Sequence, residues 1–377
     1  MRISILFLLL SLLLTGCLPK NYLEQLGIIT AVGYDKIDNN KLRGSMVINQ
    51  FSSTSPTTSQ VLISEAATSK GLRLNADTKT SHKLVSGQVR LEIYGRDIAK
   101  SGLEGYMDTL SRDAKVSDMG YLAIADNQAA ELLNSANSED APNIGTYMQR
   151  LLEKSIHRQI IPNCTLHEFN HMYYDVGIDP VLPLMKLENN KAVIKGLALF
   201  KEDSFQDELP QEDIYKLMIL KNEFSDGQFQ LKLEKDAFEE DKKETSKQDY
   251  DEGPLLVSFH EINSKVKISP KQGSPSKQTV HIKMDARLLE LSKDIDLKQM
   301  KVIDKIEREV EKELTKQLEG LIEQLKEDQI DPVGFGRNYN SKNRTQRLTE
   351  KQWRETIPNL DVDIHVKFKM LRHGITE

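Results

Sequence analysis

The chain has 377 residues, with 51 Lys and Arg against 57 Asp and Glu, and a formal net charge of −6. This length suffices for two or three domains of about 100–200 residues each. The mildly acidic balance argues against a protein that binds nucleic acid without sequence preference, which needs excess basic charge. The two cysteines, Cys17 and Cys164, exclude a disulfide scaffold and a four-cysteine zinc site.

The N-terminus has the pattern of a lipoprotein signal peptide. Arg2 precedes an apolar run over 3–14 that is too short to cross a bilayer, which needs about 20 residues. The LTGC sequence at 14–17 is a bacterial lipobox. We therefore expect residues 1–16 to be removed as a signal peptide and Cys17 to carry a diacylglycerol anchor, whose two acyl chains give stable attachment. The alternative is an ordinary signal peptide with an incidental cysteine.

The first half of the chain alternates patterns typical of strands and of helices. The segment 85–94 alternates apolar and polar residues, as a half-buried strand does. Another segment begins at Thr165 with Glu168 three residues later, which is the arrangement of a helix capping box. Predicted strands cover 26–34, 42–51, 61–67, 85–94 and 119–125, and predicted helices cover 69–79, 97–110, 127–134, 144–156 and the segment from 165. We expect a linker over 135–142 and a rigid, proline-containing break over 179–183.

The second half has the clearest patterning. Apolar residues recur every three or four positions from Leu297 to Leu325, which predicts one long amphipathic helix. We interpret it as a helix that covers a sheet, with a coiled coil as the alternative. Apolar and polar residues alternate over 362–370 and predict the final strand. Further strands are predicted over 192–200, 229–233, 256–268 and 279–289, a helix over 211–221, and a solvated acidic loop over 234–252.

These patterns together predict an α+β protein of more than one domain, with mixed or antiparallel sheets covered by helices. The C-terminal domain is expected to be an antiparallel sheet packed by the one long helix. The predicted organisation is a signal peptide over 1–16, an N-terminal region over 17–190 and a C-terminal domain over 191–377. The N-terminal region is either one unit or two structural domains with a break near 135–142.

One motif points to zinc chemistry. The segment from His167 to His171 matches H-E-x-x-H, in which two histidines one helical turn apart bind zinc and the glutamate, here Glu168, acts as general base. Against this, Thr165 places His167 in the first turn of its helix, and no Gly-and-His continuation follows. A third ligand would have to be a residue such as Glu188, which lies beyond the proline-containing break. An exported zinc metalloprotease that uses His167, Glu168 and His171 is kept as an alternative.

Motifs for other chemistry are absent from the sequence. It has no phosphate-binding loop, dinucleotide-binding turn, nucleophile elbow or C-x-x-C pair. We therefore expect no catalytic residue and no cofactor. Cys164 is expected to be a buried, small hydrophobic side chain. Trp353, which follows the basic stretch 344–351, is expected to pack at a helix start, with a contact to anionic lipid as the alternative. A solute-binding surface lipoprotein is a further alternative, although the chain shows no internal duplication into two similar lobes.

Several segments, taken in order, resemble one family. They are the lipobox, LGIITAVGYD at 26–35, KLVSGQVRL at 83–91, TLHEF at 165–169, DPVLP at 179–183, GLALFK at 196–201, DPVGFG at 331–336, Trp353 and the final strand. In this order they resemble the Ger(x)C family, the lipoprotein C subunits of nutrient germinant receptors in spore-forming bacteria. The resemblance covers nearly the whole mature chain. Two departures are Leu18, where the family more often has Trp, and the Ser/Thr-rich rather than Gly-rich loop at 52–59.

The resemblance implies a non-catalytic accessory subunit needed for nutrient-triggered spore germination. Such a subunit is lipid-anchored at the outer face of the spore's inner membrane, and its partners are membrane-spanning A and B subunits. The family has no known catalytic residues. In it the stretch 165–169 is the start of a helix, which weighs further against the zinc interpretation.

Overall fold

The computed structural model describes residues 22–38, 41–51, 58–135, 143–234, 238, 253–293 and 295–371. The predicted signal peptide, Cys17, residues 136–142 of the predicted linker and nearly all of the predicted acidic loop lie outside these residues. The described part of the chain forms two sheets, one from each half of the sequence.

The first sheet alternates with helices along the chain. Its strands are β1 (Leu26–Asp38), β2 (Lys41–Gln50), β3 (Thr58–Ala66), β4 (Lys83–Val85), β5 (Leu91–Gly95), β6 (Tyr121–Ala125), β7 (Val181–Glu188), β8 (Lys191–Lys201) and β9 (Ser204–Pro210). Its helices are α1 (Ser69–Asp77), α2 (Arg96–Ser101), α3 (Glu104–Ser111), α4 (Ala129–Leu133), α5 (Ile144–His157) and α6 (Leu166–Tyr174).

The strand order of this sheet is β3-β2-β1-β5-β6-β7-β8-β9, with β4 beside β1. Its centre is parallel, because β1, β5, β6 and β7 run in one direction. Antiparallel hairpins extend it on both sides. Since β8 pairs with β7, the domain boundary predicted at 190 falls between the two strands of a hairpin, and the sheet continues to Pro210.

Helices cover both faces of the first sheet. Gly44 faces α1, since a Cβ added at Gly44 would lie 3.0 Å from the side chain of Leu72. Gly33, whose partner in β2 is the residue after Gly44, faces the other way. A Cβ added at Gly33 would lie 2.9 Å from the Cβ of Ala129 in α4. The central strand β5 is consequently buried at all of its positions, as strands covered on both faces are.

Three predicted elements of this half differ in the structure. The half-buried strand predicted over 85–94 is a strand only at Val85 and over 91–94, where it is fully buried. Residues 86–90 form a turn between β4 and β5, in which the Val89 N–H donates to the Ser86 carbonyl at 3.0 Å. The helix predicted over 97–110 is two helices, because Gly102 adopts a φ of +103° between α2 and α3. The break predicted over 179–183 is instead the start of the buried strand β7.

The second half supplies a smaller sheet and the longest helix. Its strands are β10 (Phe229–Leu233), β11 (Leu255–Lys271), β12 (Ser274–Leu291) and β13 (Asp361–Leu371), and its helices are α7 (Ile214–Leu220), α8 (Met300–Glu327), α9 (Phe335–Lys342) and α10 (Glu350–Thr356). Short 3-10 turns lie at Leu23–Gln25, Gln211–Asp213 and Ile357–Asn359.

The second sheet is mixed rather than antiparallel. β10, β11 and β12 are antiparallel neighbours, but β13 runs parallel to β12, with its first residue opposite Lys277 and its last opposite Arg287. The α+β class with helix-covered sheets is confirmed, whereas the prediction of an antiparallel C-terminal sheet is wrong at this pair. After β12 the chain passes through α8, α9 and α10 and therefore returns to the sheet at the end from which β12 began, as a parallel crossover requires.

The long helix α8 covers one face of this sheet, as the favoured interpretation predicted. Its apolar stripe is buried, and alternate residues of β13, among them Ile364, Phe368 and Met370, are buried as well. Two glutamates of α8 also bind the outer edge of β13: Glu311 Oε1 accepts the Phe368 N–H at 2.9 Å and Glu307 Oε1 accepts the Met370 N–H at 2.8 Å. The intervening residues of β13 are mostly exposed on the opposite face.

Candidate functional site

The H-E-x-x-H segment forms the first turns of α6. Thr165 caps the helix, because its hydroxyl accepts the Glu168 N–H at 3.3 Å. The rings of His167 and His171 are exposed and their centroids lie 6.5 Å apart, while the opposite side of α6 is buried. Within the described part of the chain, no three His, Cys, Asp or Glu side chains are grouped closely enough to bind a metal ion.

The structure tests the predictions for Cys164 and Trp353 but not the prediction for Cys17. Cys17, the predicted lipid attachment site, lies outside the described residues. Cys164 is 1% exposed, as predicted, and burial raises the pKa of its thiol to about 12, which keeps it protonated and unreactive. Trp353 is also 1% exposed, so the prediction that it packs within the protein is confirmed.

The two halves of the molecule meet at a buried charged site, which we call the junction and define as residues 177–179, 331–336 and 350–354. At its centre is Asp179, which directly precedes β7 and whose side chain is 1% exposed. Arg354 of α10 donates to both oxygens of this carboxylate, with an Nη1–Oδ2 distance of 2.6 Å. The backbone N–H groups of Asp331 (2.7 Å) and Glu202 (3.0 Å) supply two further donors.

The guanidinium of Arg354 is stabilised in its charged form. Burial alone lowers the pKa of Arg354, but its hydrogen bonds to Asp179 and the charges of Asp179, Glu350 and Glu202 outweigh burial and raise the pKa above its ordinary value. An additional donor hydrogen bond runs from Arg354 Nη1 to the Gln329 carbonyl at 3.1 Å. Arg354 therefore links α10 to the end of α8 as well as to β7.

Asp331 is the second buried acid of the junction. Its side chain accepts the N–H groups of Gly334 at 2.7 Å and Gly336 at 3.0 Å, and its carbonyl accepts the Asp179 N–H at 2.9 Å. Burial raises the pKa of Asp331 to about 6, the backbone hydrogen bonds lower it in part, and the charge of Asp179 raises it further. The two Asp-Pro segments thus bond to each other through both backbone and side chain.

Glycines allow the backbones of the two halves to touch. The Arg337 N–H donates to the Gly177 carbonyl at 2.8 Å, and a Cβ added at Gly177 would lie 2.5 Å from the carbonyl carbon of Gly336. A Cβ added at Gly336 would lie 2.5 Å from the indole of Trp353. Any larger residue at either glycine would therefore separate the surfaces that the junction holds together.

The junction has the chemistry of a structural clamp. Each oxygen of Asp179 accepts two hydrogen bonds, and Arg354 donates to Asp179 and Gln329. Arg354 Nε also lies 2.7 Å from Glu350 Oε1. Sequence analysis noted the segments at 179–183 and 331–336 but assigned no contact between them. The repeated tripeptide Asp-Pro-Val, at 179–181 and 331–333, was the signal that could have paired them.

Another buried acid lies in the first sheet. Glu92 is 5% exposed and its Oε2 accepts the Tyr94 hydroxyl at 2.8 Å. Burial raises the pKa of Glu92 to about 7, although the hydrogen bond from Tyr94 lowers it in part. Glu92 borders a pocket of about 40 Å³ that is also lined by Lys70, Arg73 and Asp113. This volume has room for a few water molecules only and is too small for a ligand the size of an amino acid.

Across the described residues, no helix combines the length and the apolar character that a membrane span requires.

Two family models match the chain in order and cover most of it. The first, described as the spore germination protein N-terminal domain, matches residues 19–187. The second, described as spore germination B3/GerAC-like, C-terminal, matches residues 195–374.

Individual proteins match over their full length. The chain is 25% identical to spore germination protein GerQC of Bacillus cereus over 378 residues, which is 100% of both chains. It is 21% identical to spore germination protein KC of Bacillus subtilis (strain 168), covering 99% of this chain and 96% of that protein. The crystal structure of the GerBC protein matches with a TM-score of 0.56 and 14% identity, over 90% of this chain and 97% of that one, and shows that the fold is shared.

Proposed function

The chain belongs to the GerAC-like family of spore germination proteins, and we propose that it is the lipid-anchored, non-catalytic subunit of a germinant receptor complex, needed for nutrient-triggered spore germination. The observation that carries the proposal is that both family domains follow each other over 19–187 and 195–374. The full-length match to spore germination protein GerQC of Bacillus cereus supports it.

The proposed location is the outer face of the spore's inner membrane, and the proposed partners are membrane-spanning A and B subunits. The lipobox ending at Cys17 supports the anchor, and the family resemblance supports the partners.

A non-catalytic role is supported by the chemistry of the charged groups that the fold buries. Both carboxylate oxygens of Asp179 accept hydrogen bonds from Arg354 and from backbone N–H groups, and Arg354 also donates to the Gln329 carbonyl. Glu92 borders a pocket too small for an organic substrate. The contacts of Asp179 and Arg354 commit these two side chains to holding the two halves together.

Deletion of the gene tests the germination role. In spores whose other nutrient receptors have been deleted, loss of this gene should abolish germination by nutrients but not germination by an agent that bypasses the receptors. Re-expression of the chain should restore the response, and two membrane proteins should co-purify with a tagged copy from spore membranes. A normal nutrient response of the deletion spores would refute the proposal.

The anchor is tested by Cys17→Ala. The substitution removes the thiol that accepts the diacylglycerol, so the variant should accumulate as an uncleaved precursor or leave the membrane fraction. The matched control is Cys164→Ala, which alters the buried cysteine and should leave membrane attachment unchanged. Recovery of Cys17→Ala as mature-sized protein in the membrane fraction would show that the anchor assignment is wrong.

A further inference from the structure

The exposed face of the second sheet carries a concentration of positive charge. Register pairing places Lys265, Lys283 and Lys367 side by side on β11, β12 and β13. The row two residues away is Lys267, His281 and His365, with the imidazole centroids of the two histidines 4.9 Å apart. Together with Lys369, these side chains form the basic face, and all seven residues are exposed.

Protein stability does not account for this arrangement. Like charges directly opposite each other on neighbouring strands destabilise a sheet. Among the described residues, only one of the five lysines has a carboxylate within 4.0 Å: Lys367 lies 3.1 Å from Glu311. Asp363 pairs with His365 at 3.0 Å, and Asp285 lies beside Lys369 in register, so the acidic groups lie at the ends of the face.

The basic face continues onto α9. Lys342, at the end of this helix, donates from Nζ to the Ile268 carbonyl at 2.5 Å, next to Lys267. Burial and then the charge of Lys267 lower the pKa of Lys342, which shows that the two ammonium groups are close.

α9 begins at the junction, and the junction lies at the edge of the first sheet where β1, β5, β6 and β7 begin. The chain also enters the fold at this edge, so an N-terminal anchor tethers the edge from which α9 departs.

We propose that the basic face binds the anionic phospholipid headgroups of the membrane to which the chain is anchored. The face measures about 10 Å across three strands and about 14 Å along three rows, so its charges lie close enough together to contact several lipid headgroups at once. The chain as a whole is acidic, at −6, so an anionic bilayer repels the molecule unless this face is turned toward it. Lipid binding would therefore orient the tethered subunit. This inference rests on the proposed anchor, which places the bilayer next to the chain.

Other occupants fit the observations less well. The acidic segment that joins β10 to β11 is attached to β11 at Leu255. Leu255 is ten residues, or about 33 Å, from Lys265 along the strand, so the attachment point is distant from the basic face. An acidic protein surface offers the same charge but is not held next to the face by a tether of this chain.

Vesicle binding of the lipid-free chain tests the proposal. The protein is residues 17–377 with Cys17→Ser, and the probes are vesicles of phosphatidylcholine with and without 30% phosphatidylglycerol, at about 0.05 M and about 0.5 M salt. We expect binding that requires phosphatidylglycerol and is lost at high salt, because the Debye length falls as salt rises. Each lysine near an anionic surface contributes about a fivefold factor, so the triple variant Lys265→Gln, Lys283→Gln, Lys367→Gln should bind about 100-fold more weakly.

The matched control removes the same charge elsewhere. Lys115, Lys154 and Lys191 are exposed lysines of the first half, and their triple Gln variant should bind like the unsubstituted chain. Melting temperatures of both variants verify folding, and removal of the like-charged row should leave stability unchanged or raised. No preference for anionic vesicles, or equal losses in the two triple variants, would overturn the proposal.

Two further outcomes would assign the basic face to another occupant and would likewise overturn the proposal of lipid binding. Vesicle binding that appears only after deletion of residues 239–252 would assign the face to the acidic segment. Absent vesicle binding, combined with loss of nutrient germination in spores that carry the Lys265, Lys283 and Lys367 substitutions, would assign it to an acidic protein partner. Because vesicle binding is measured without spores, its failure leaves the germination role to be judged by the gene deletion.

Discussion

The two sheets of this molecule bury their strands in different ways. The first has helices on both faces, and its central strand β5 is buried at all five positions. The second has α8 on one face, so buried and exposed residues alternate along β13. The difference shows where each half can interact with other molecules: the central strand of the first sheet is enclosed within the fold, while alternate residues of β13 in the second sheet are exposed.

Removal of β13 is the strongest way to test this comparison. A chain that ends at Asn359 loses the parallel partner of β12 and four buried apolar side chains, those of Leu360, Ile364, Phe368 and Met370, each worth about 1.5–3 kcal/mol. That loss approaches the total stability of a domain, about 5–15 kcal/mol. We expect the second sheet to unfold, seen as loss of its cooperative transition in calorimetry, and nutrient germination to be abolished. A chain that ends at Leu371 is the control and should melt like the full chain. Cooperative melting of the shorter chain near the unaltered temperature would show that β13 is dispensable.

The junction that joins the two sheets should be the next most sensitive point. Arg354→Leu leaves the buried carboxylate of Asp179 without its cation, which should lower the free energy of unfolding by about 3–5 kcal/mol in urea titrations. Addition of Asp179→Asn should recover part of the loss, because no buried charge then remains unpaired. The exposed Arg347→Leu is the control, with an expected change within about 0.5 kcal/mol. Equal effects of Arg354→Leu and Arg347→Leu would mean that the clamp contributes nothing.

Neighbouring substitutions in the two sheets sharpen the comparison. In β5, Ile93→Ala and Tyr94→Ala should each cost about 2–5 kcal/mol, because adjacent residues are buried on opposite faces. In β13, Phe368→Ala should cost about 3–5 kcal/mol and Lys369→Ala less than about 0.5 kcal/mol. Chemical denaturation of the four variants measures these changes in the free energy of unfolding. A large cost for Lys369→Ala would contradict the assignment of an open face.

The pH dependence of stability gives the smallest expected effect. The pKa of Asp331 is about 6 in the fold against an ordinary value of 3.8, so between these values the folded chain holds a proton that the unfolded chain has lost. Its contribution to the free energy of unfolding therefore falls by up to about 3 kcal/mol as pH rises through this window, and is constant above it. Asp331→Asn removes this titration, so its stability relative to the unsubstituted chain should improve from pH 4 to pH 7. The free energy of unfolding of both chains is measured by urea denaturation across that pH range. A constant difference between the two chains would show that Asp331 does not titrate in the window.

Local periodicity predicted the elements that are long and one-sided. The stripe from Leu297 to Leu325 predicted α8, which spans Met300–Glu327, and the alternation over 362–370 predicted β13. Thr165 was identified as a helix cap from its own position and that of Glu168, and the structure confirms it. Prediction was weaker where burial is continuous, as in β5, because an apolar strand covered on both faces has no alternation to reveal its limits.

The sequence by itself determined the fold class, the long helix, the final strand and the family, because these follow from motifs and from periods of 2 and 3.6 residues. Only the tertiary structure decided that β13 pairs in parallel, since the side-chain period of a strand is the same in both directions. It alone paired Asp179 with Asp331, 152 residues apart, and aligned lysines from three strands into one face. Such contacts depend on how separate elements pack, which local sequence patterns do not encode.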